Sequence, residues 1–196
     1  MILPILAYGN PVLKKKAKNI SNDFINLNEF IENMWETMNN ANGVGLAAPQ
    51  VGLSFRIFIV DTSPFADSES MNKDEFELVS SFKKVFINPV IINETGNKWD
   101  FNEGCLSIPE VRADVKRPET ILIKYFDEEF NQHQHSFNGI IARVVQHEYD
   151  HIEGVLFTDK ISPLKRKLLK GKLIDISKGK IKTDYKMKFS KLIKNK

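Results

Sequence analysis

The segment Asn138-Gly139-Ile140-Ile141-Ala142-Arg143-Val144-Val145-Gln146-His147-Glu148-Tyr149-Asp150-His151 constrains the fold more than any other part of the chain. Asn138-Gly139 opens a helical pattern, Gly154 stops it, and apolar side chains occupy much of the circumference between them. A surface helix carries one apolar stripe, so this helix is expected to be central, with the rest of the domain packed around it. It also carries H-E-x-x-H. Four residues turn a helix by about 400° and advance it about 6 Å, which leaves the two imidazoles roughly 40° apart on one face. Ile140 and Val144 share that face, so His147 and His151 point inward and can converge on one ion. Glu148 then stands beside that ion without ligating it, where it can act as general acid/base. The plainer alternative is a pair of satisfied core histidines.

A catalytic centre of this kind needs a third protein ligand and an open position for water. Phe157 stands where one known continuation of the motif requires a histidine, and no Glu follows Glu153, so the third ligand is expected upstream. The chain has one cysteine, Cys105, within Glu103-Gly104-Cys105-Leu106-Ser107. A single thiol rules out an internal disulfide and any zinc module built on several thiolates. Taken alone, Cys105 reads as a small buried hydrophobe; beside the H-E-x-x-H helix it reads as the third ligand. One thiolate and two imidazoles around an open position lower the pKa of a bound water and deliver hydroxide to an electrophilic carbon. With Glu148 carrying the proton to a leaving nitrogen, hydrolysis of an amide-like bond is the expected reaction.

Elsewhere the pattern predicts a mixed α+β domain. Leu27, Phe30, Ile31, Met34, Trp35 and Met38 repeat with helical spacing, which predicts a helix from about Ile25 to Asn40. Gly43-Val44-Gly45-Leu46-Ala47-Ala48-Pro49-Gln50-Val51-Gly52 follows as a Gly-rich loop. A helix precedes it and a strand-like run follows, the reverse of a dinucleotide-binding turn, so a nucleotide reading is rejected. Its backbone from Gly43 to Gly45 can pair with an extended peptide, and the Gln50 amide can donate to an oxyanion. Strands are predicted at Arg56 to Asp61, Lys84 to Asn93 and Thr120 to Phe126. Thr62 to Ser81 reads as a surface excursion without a period. His133 and His135 alternate and share one face of a strand, the usual pattern of a polar surface. A third helix starts after Ser162-Pro163, with Ser162 as N-cap, and the Lys-rich chain beyond Gly179 is expected to be loosely ordered.

The net charge of +3 conceals an asymmetry. From Lys160 onward, 14 Lys or Arg face only Asp175 and Asp184, a net +12, whereas residues 1–159 carry −9. The expected organisation is a catalytic domain over residues 1–162 and a basic C-terminal helix and tail over 163–196, the latter suited to a polyanionic partner. No run of 18 apolar residues is present, and Met1 to Ala7 is too short and lacks the basic region of a secretory signal. A cytoplasmic location with no membrane partner is expected.

Three segments in this order, Gly43-Val44-Gly45-Leu46-Ala47-Ala48-Pro49-Gln50, Glu103-Gly104-Cys105-Leu106-Ser107 and His147-Glu148-Tyr149-Asp150-His151, resemble the three motifs of the peptide deformylases. The resemblance runs from the N-terminal residues to about Lys172. It implies antiparallel or mixed sheets around a central metal-binding helix, with a C-terminal helix. It further implies that Cys105, His147 and His151 bind one divalent metal ion per chain, Fe²⁺ natively, with Zn²⁺, Ni²⁺ or Co²⁺ accepted. Glu148 would be the general acid/base, and Gln50 with the Leu106 backbone N–H would stabilise the oxyanion. Val44, Gly45 and Gly104 would line the substrate cleft, with Arg112 near the peptide and Val44 and Val144 at the methionine side chain. Asp150 would orient the site through Arg117. The implied substrate is the formyl-methionyl end of a new polypeptide, and the implied partner of the basic C-terminal segment is the ribosome, with no specific DNA. Two rival readings are an endopeptidase using the same H-E-x-x-H, and a ribosome- or RNA-binding module with a structural metal.

Overall fold

The computed structural model describes residues 1–67 and 69–190. In chain order it contains β1 (Ile5–Leu6), α1 (Leu27–Asn40), β2 (Gly45–Ala47), β3 (Ile57–Asp61), α2 (Lys73–Ser81) and β4 (Lys83–Cys105). There follow β5 (Ile108–Phe126), β6 (Gln132–Asn138), α3 (Gly139–Ile152), α4 (Phe157–Lys160), α5 (Pro163–Ser177) and β7 (Met187–Lys188). Strands β2 to β6 form an antiparallel sheet in that sequential order, and β1 pairs with β7 in parallel. The class is α+β, as the pattern predicts.

Helix α3 is central. Nine of its fourteen residues are buried, among them the polar Arg143, Gln146, Glu148 and His151, so polar chemistry has been carried into the core. Its Ile141, Ala142, Val144, Val145 and Ile152 pack with Phe58, Val60, Phe86, Ile121 and Ile123 of the sheet. Successive side chains of a strand face opposite ways, and β3 uses both faces. Phe58 and Val60 turn toward α3, whereas Ile57 and Ile59 join Ile31, Met34 and Met38 of α1 on the other side. An apolar run without alternation is what such a doubly covered strand requires.

The structure departs from the predicted elements in four places. Helix α1 begins at Leu27 rather than Ile25, because Asn26 adopts a left-handed φ of 61° that breaks the helix and leaves Ile25 84% exposed. The strands predicted at Lys84–Asn93 and Thr120–Phe126 are the ends of one long hairpin, β4 and β5, that bends through register shifts, the last between Gly104 and Cys105. The signal was present in Val111, Ala113 and Val115, which alternate and are all buried. Within the surface excursion lies α2, held at its start by the Asn72 side chain accepting from Glu75 N–H at 3.0 Å. Val79 is its buried residue, so no apolar period announces it.

The fourth departure is the chain after Gly179. Instead of loose order, it returns to the body: Ile5 N–H donates to the Lys186 carbonyl at 2.9 Å and Ala7 N–H to that of Lys188 at 3.0 Å. Helix α5 is capped by Ser162, as the sequence indicates. It buries Leu173 and Ile176 against Leu6, Leu13, Ile108 and Leu156. The part of the tail from 191 to 196 lies outside the described residues.

Candidate metal centre and substrate cleft

Cys105 ends β4, and His147 and His151 sit one turn apart on α3. The Cys105 Sγ and one ligand nitrogen from each histidine all lie within 4.8 Å of one another, with Sγ 3.2 Å from His151 Nε2. The sheet thus delivers the thiol to the face of α3 that H-E-x-x-H presents.

Glu103, two residues before Cys105 on the same strand, organises this centre. It is 4% exposed. Its carboxylate accepts from Arg117 Nε at 2.7 Å and Nη2 at 2.9 Å, from Arg143 Nη1 at 3.0 Å and from His147 Nδ1 at 2.9 Å. Burial alone would push this carboxyl up; the hydrogen bonds from Arg117 and His147 overcome that and hold it well below the usual carboxylate range. With Nδ1–H committed to Glu103, His147 presents Nε2 to the centre, the way a carboxylate fixes a ligating imidazole. Arg117 also donates to Asp150 Oδ2 at 2.6 Å, so the link expected between these two residues is present. Sequence reasoning missed Glu103 and Arg143 as members of the site. Spacing offered one hint, since residues i and i+2 of a strand share a face.

The donor set fits a divalent cation. A thiol and two imidazoles are the borderline-soft ligands that first-row metals take. Burial pushes His151 well down, toward the neutral form a ligand needs. Burial opposes a charge on His147 too, yet its hydrogen bonds with Cys105 and Glu103 raise its pKa well above the usual value. Among the described residues His151 Nδ1 and Glu148 Oε2 are buried with no hydrogen-bond partner, and buried polar atoms are seldom left so.

Glu148 differs from Glu103 in having, among the described residues, no cationic partner in direct contact. Burial drives its pKa up to about 7. Its carboxylate packs against Gly45, where any Cβ would overlap it; only glycine permits that approach. Gln50 is 1% exposed, and its orientation is determined by its neighbours. Ala47 N–H can only donate, and it meets Gln50 Oε1 at 2.8 Å. The Gln50 Nε2 is therefore turned to the centre, 3.5 Å from Cys105 Sγ and 3.3 Å from Ser107 Oγ.

A cleft of about 590 Å³ opens on this centre. Val44, Gly45, Gly104, Arg112 and Val144 all line it, together with Gln50, Cys105, Leu106, His147 and Glu148. Strand β2 is an edge of the sheet. The Val44 carbonyl accepts from Asp61 N–H at 2.9 Å, toward β3, so the polar backbone groups of Gly45 face the free side. Arg112 lies over Gly104 and is held by Asn102, whose Oδ1 accepts at 2.8 Å. Two features of the cleft had not been read from the sequence. Phe65, from the segment between Thr62 and Ser81, meets Phe101 edge-on at 6.0 Å. Lys182, Thr183, Asp184 and Tyr185 of the C-terminal segment form part of the wall. His133 and His135 lie on β6 with their rings stacked 5.7 Å apart, and His133 bonds Asp127 at 2.7 Å. They belong to no cluster of three potential ligands among the described residues.

The sequence profile described as polypeptide deformylase matches residues 2–167. The chain belongs to the polypeptide deformylase family. A protein named peptide deformylase from Christiangramia forsetii is 61% identical over 189 residues, covering 96% of each chain. Another so named, from Flavobacterium psychrophilum, is 58% identical over 188 residues, covering 96% of this chain and 97% of that one. The crystal structure of peptide deformylase from Thermus thermophilus superposes with a TM-score of 0.78 at 38% identity, over 91% of this chain and 99% of its own. Deformylase membership decides against the endopeptidase and the nucleic-acid-binding module with a structural metal. The family uses a divalent metal, and Cys105, His147 and His151 form a cluster that could hold one.

Proposed function

We propose that this chain removes the formyl group from formyl-methionyl ends of new polypeptides, with Cys105, His147 and His151 holding the metal. The observation that carries this reading is the meeting, in a peptide-sized cleft, of that thiol–imidazole cluster with a buried carboxylate, Glu148, one oxygen of which has no hydrogen-bond partner among the described residues. A divalent cation there supplies Lewis acidity and makes water a nucleophile near neutral pH. We assign it as Fe²⁺ in the native protein, with Zn²⁺, Ni²⁺ or Co²⁺ as workable replacements, since the donor set suits each of them.

The chain supplies the remaining chemistry. Glu148, poised near neutrality by burial, takes a proton from water and gives it to the leaving nitrogen. Gln50 Nε2 and the Leu106 N–H donate to the oxyanion that develops on the formyl group. Gly45 offers its free backbone edge to the peptide as an added strand. Val44 and Val144 give the methionine side chain an apolar wall, and Gly104 keeps the floor low so that Arg112 can reach the peptide beyond it. Glu103 and Arg117 hold His147 and Asp150 in place.

The reaction is tested with protein prepared without oxygen. It should release formate from formyl-Met-Ala-Ser and leave casein intact; the opposite pattern would overturn the assignment. Among the described residues no helix is long and apolar enough to cross a membrane, and we place the protein in the cytoplasm, where new polypeptides are made. We also assign residues 1–162 the chemistry and the basic segment 163–196 a ribosome contact. Helix α5 exposes Lys167 and Lys170, and counter-charge contacts of this kind are salt-sensitive. Reversing both to Glu should weaken co-sedimentation with ribosomes at low salt while turnover of the short peptide is unchanged. Equal sedimentation would make these lysines an ordinary solvated face.

A further inference from the structure

The turn that carries Leu106 is held from outside its own hairpin. Leu106 and Ser107 link Cys105 to Ile108, which pair across β4 and β5. Two-residue hairpin turns favour backbone with positive φ, which matches the twist of the flanking strands. Neither Leu106 nor Ser107 has it. The Leu106 carbonyl lies on the peptide that joins Leu106 to Ser107 and the Leu106 N–H on the peptide before it; the two rigid planes meet at the Leu106 Cα and are coupled through that residue alone.

Three contacts from elsewhere tie the turn down. Tyr8 N–H donates to the Ser107 carbonyl at 2.8 Å. Gln50 Nε2 reaches Ser107 Oγ at 3.3 Å. The third contact comes from the C-terminal segment: the Tyr185 hydroxyl donates to the carbonyl of Leu106 itself at 2.8 Å. The segment is in turn anchored on both sides. Beyond Tyr185, β7 is paired with β1. Before it, Lys172 of α5 donates to the Glu110 carbonyl at 2.7 Å, where Glu110 adopts a φ of 56° in the bulge next to the turn.

We propose that Tyr185 is a positioning residue for deformylation: by holding the Leu106 carbonyl, its hydroxyl fixes the place of Leu106 in the turn and so steadies the oxyanion donor, the N–H on the other side of the same Cα. The C-terminal segment is then a working wall of the active site. Burial pushes the Tyr185 phenol above its usual pKa, so it is protonated at neutral pH and donates throughout the working range. The inference rests on the oxyanion role given to Leu106. It differs from a structural role for Tyr185 in which step it affects, because a misaimed oxyanion donor weakens transition-state binding and leaves ground-state binding alone.

Tyr185→Phe deletes only the hydroxyl. On formyl-Met-Ala-Ser its kcat should fall roughly tenfold, the size of one lost hydrogen bond felt in the transition state, with KM within about twofold and the metal content equal to wild type. A kcat equal to wild type, with or without a lower melting temperature, would overturn the inference and leave the deformylase reading intact. A raised KM at unchanged kcat would also overturn it, making Tyr185 a binding contact only. A second variant, Lys172→Met, loosens the bulge without touching the turn peptide. Its kcat should fall less than that of Tyr185→Phe, and an equal or larger fall would assign the effect to general loosening of the segment. Wild-type protein inactive on the same peptide would instead overturn the deformylase reading itself.

Discussion

Two carboxylates flank the cluster of Cys105, His147 and His151, equally buried and opposite in circumstance. Glu103, on the strand side, is surrounded by Arg117, Arg143 and His147. Glu148, on the helix side, has one oxygen with no partner among the described residues. Burial raises the cost of charge for both, and only Glu103 has the hydrogen bonds that reverse it. Depth alone therefore does not distinguish an orienting carboxylate from a reacting one; the partners do. A saturated carboxylate holds its neighbours still, whereas a carboxylate left near its own midpoint can accept and return a proton.

The contrast is sharpest where Glu103 is weakened. Glu103→Gln leaves Arg143 buried without its counter-charge and Arg117 with Asp150 alone, and breaking such a network costs about 3–5 kcal/mol. The variant should unfold at markedly lower denaturant concentration and bind metal more weakly, because His147 loses its orienting acceptor; losses of about 10–100-fold are typical of such contacts. Wild-type stability in this variant would show that the arginines find other partners. At Glu148 the expectation reverses. Glu148→Ala removes a buried group with no counter-charge, so denaturation should stay within about 1 kcal/mol of wild type, while turnover falls at least about 100-fold. A stability loss matching that of Glu103→Gln would erase the distinction.

A surface carboxylate marks the lower end of the scale. Asp159 is partly buried, which pushes its pKa up, but hydrogen bonds from Lys14 and Leu156 N–H hold it below the usual value. A depressed folded pKa contributes stability above the unfolded pKa and loses it as pH falls through the folded one. Asp159→Asn should cost about 1 kcal/mol at pH 7, since the Lys14 partner is half exposed and screened. The difference between variant and wild type, followed by denaturation against pH, should close as the pH drops below the carboxylate range. A pH-independent difference would remove the ion pair as its cause.

How much of this was legible in the sequence follows the range of the interactions. Helix α3 and the pairing of His147 with His151 on one of its faces were legible because a period of 3.6 and an i, i+4 pair are local facts. Cys105 was reached by elimination, being the single thiol. Glu103 was not, because its importance lies in Arg117 and Arg143, which only the folded hairpin and α3 bring to it. The C-terminal wall was missed for another reason. Ile181, Thr183, Tyr185, Met187 and Phe189 are partly buried and alternate with exposed Lys182, Asp184, Lys186 and Lys188. That is a strand period, overlooked because the lysines dominate the composition. Helix α2, with Val79 as its buried residue, left no period to read.

Turnover per bound metal, measured side by side on Glu103→Gln and Glu148→Ala with formyl-Met-Ala-Ser, tests the division of labour most directly. Normalised to metal actually bound, Glu103→Gln should stay within about tenfold of wild type and Glu148→Ala should lie at least about 100-fold below it. Equal losses per bound metal in the two variants would contradict the account.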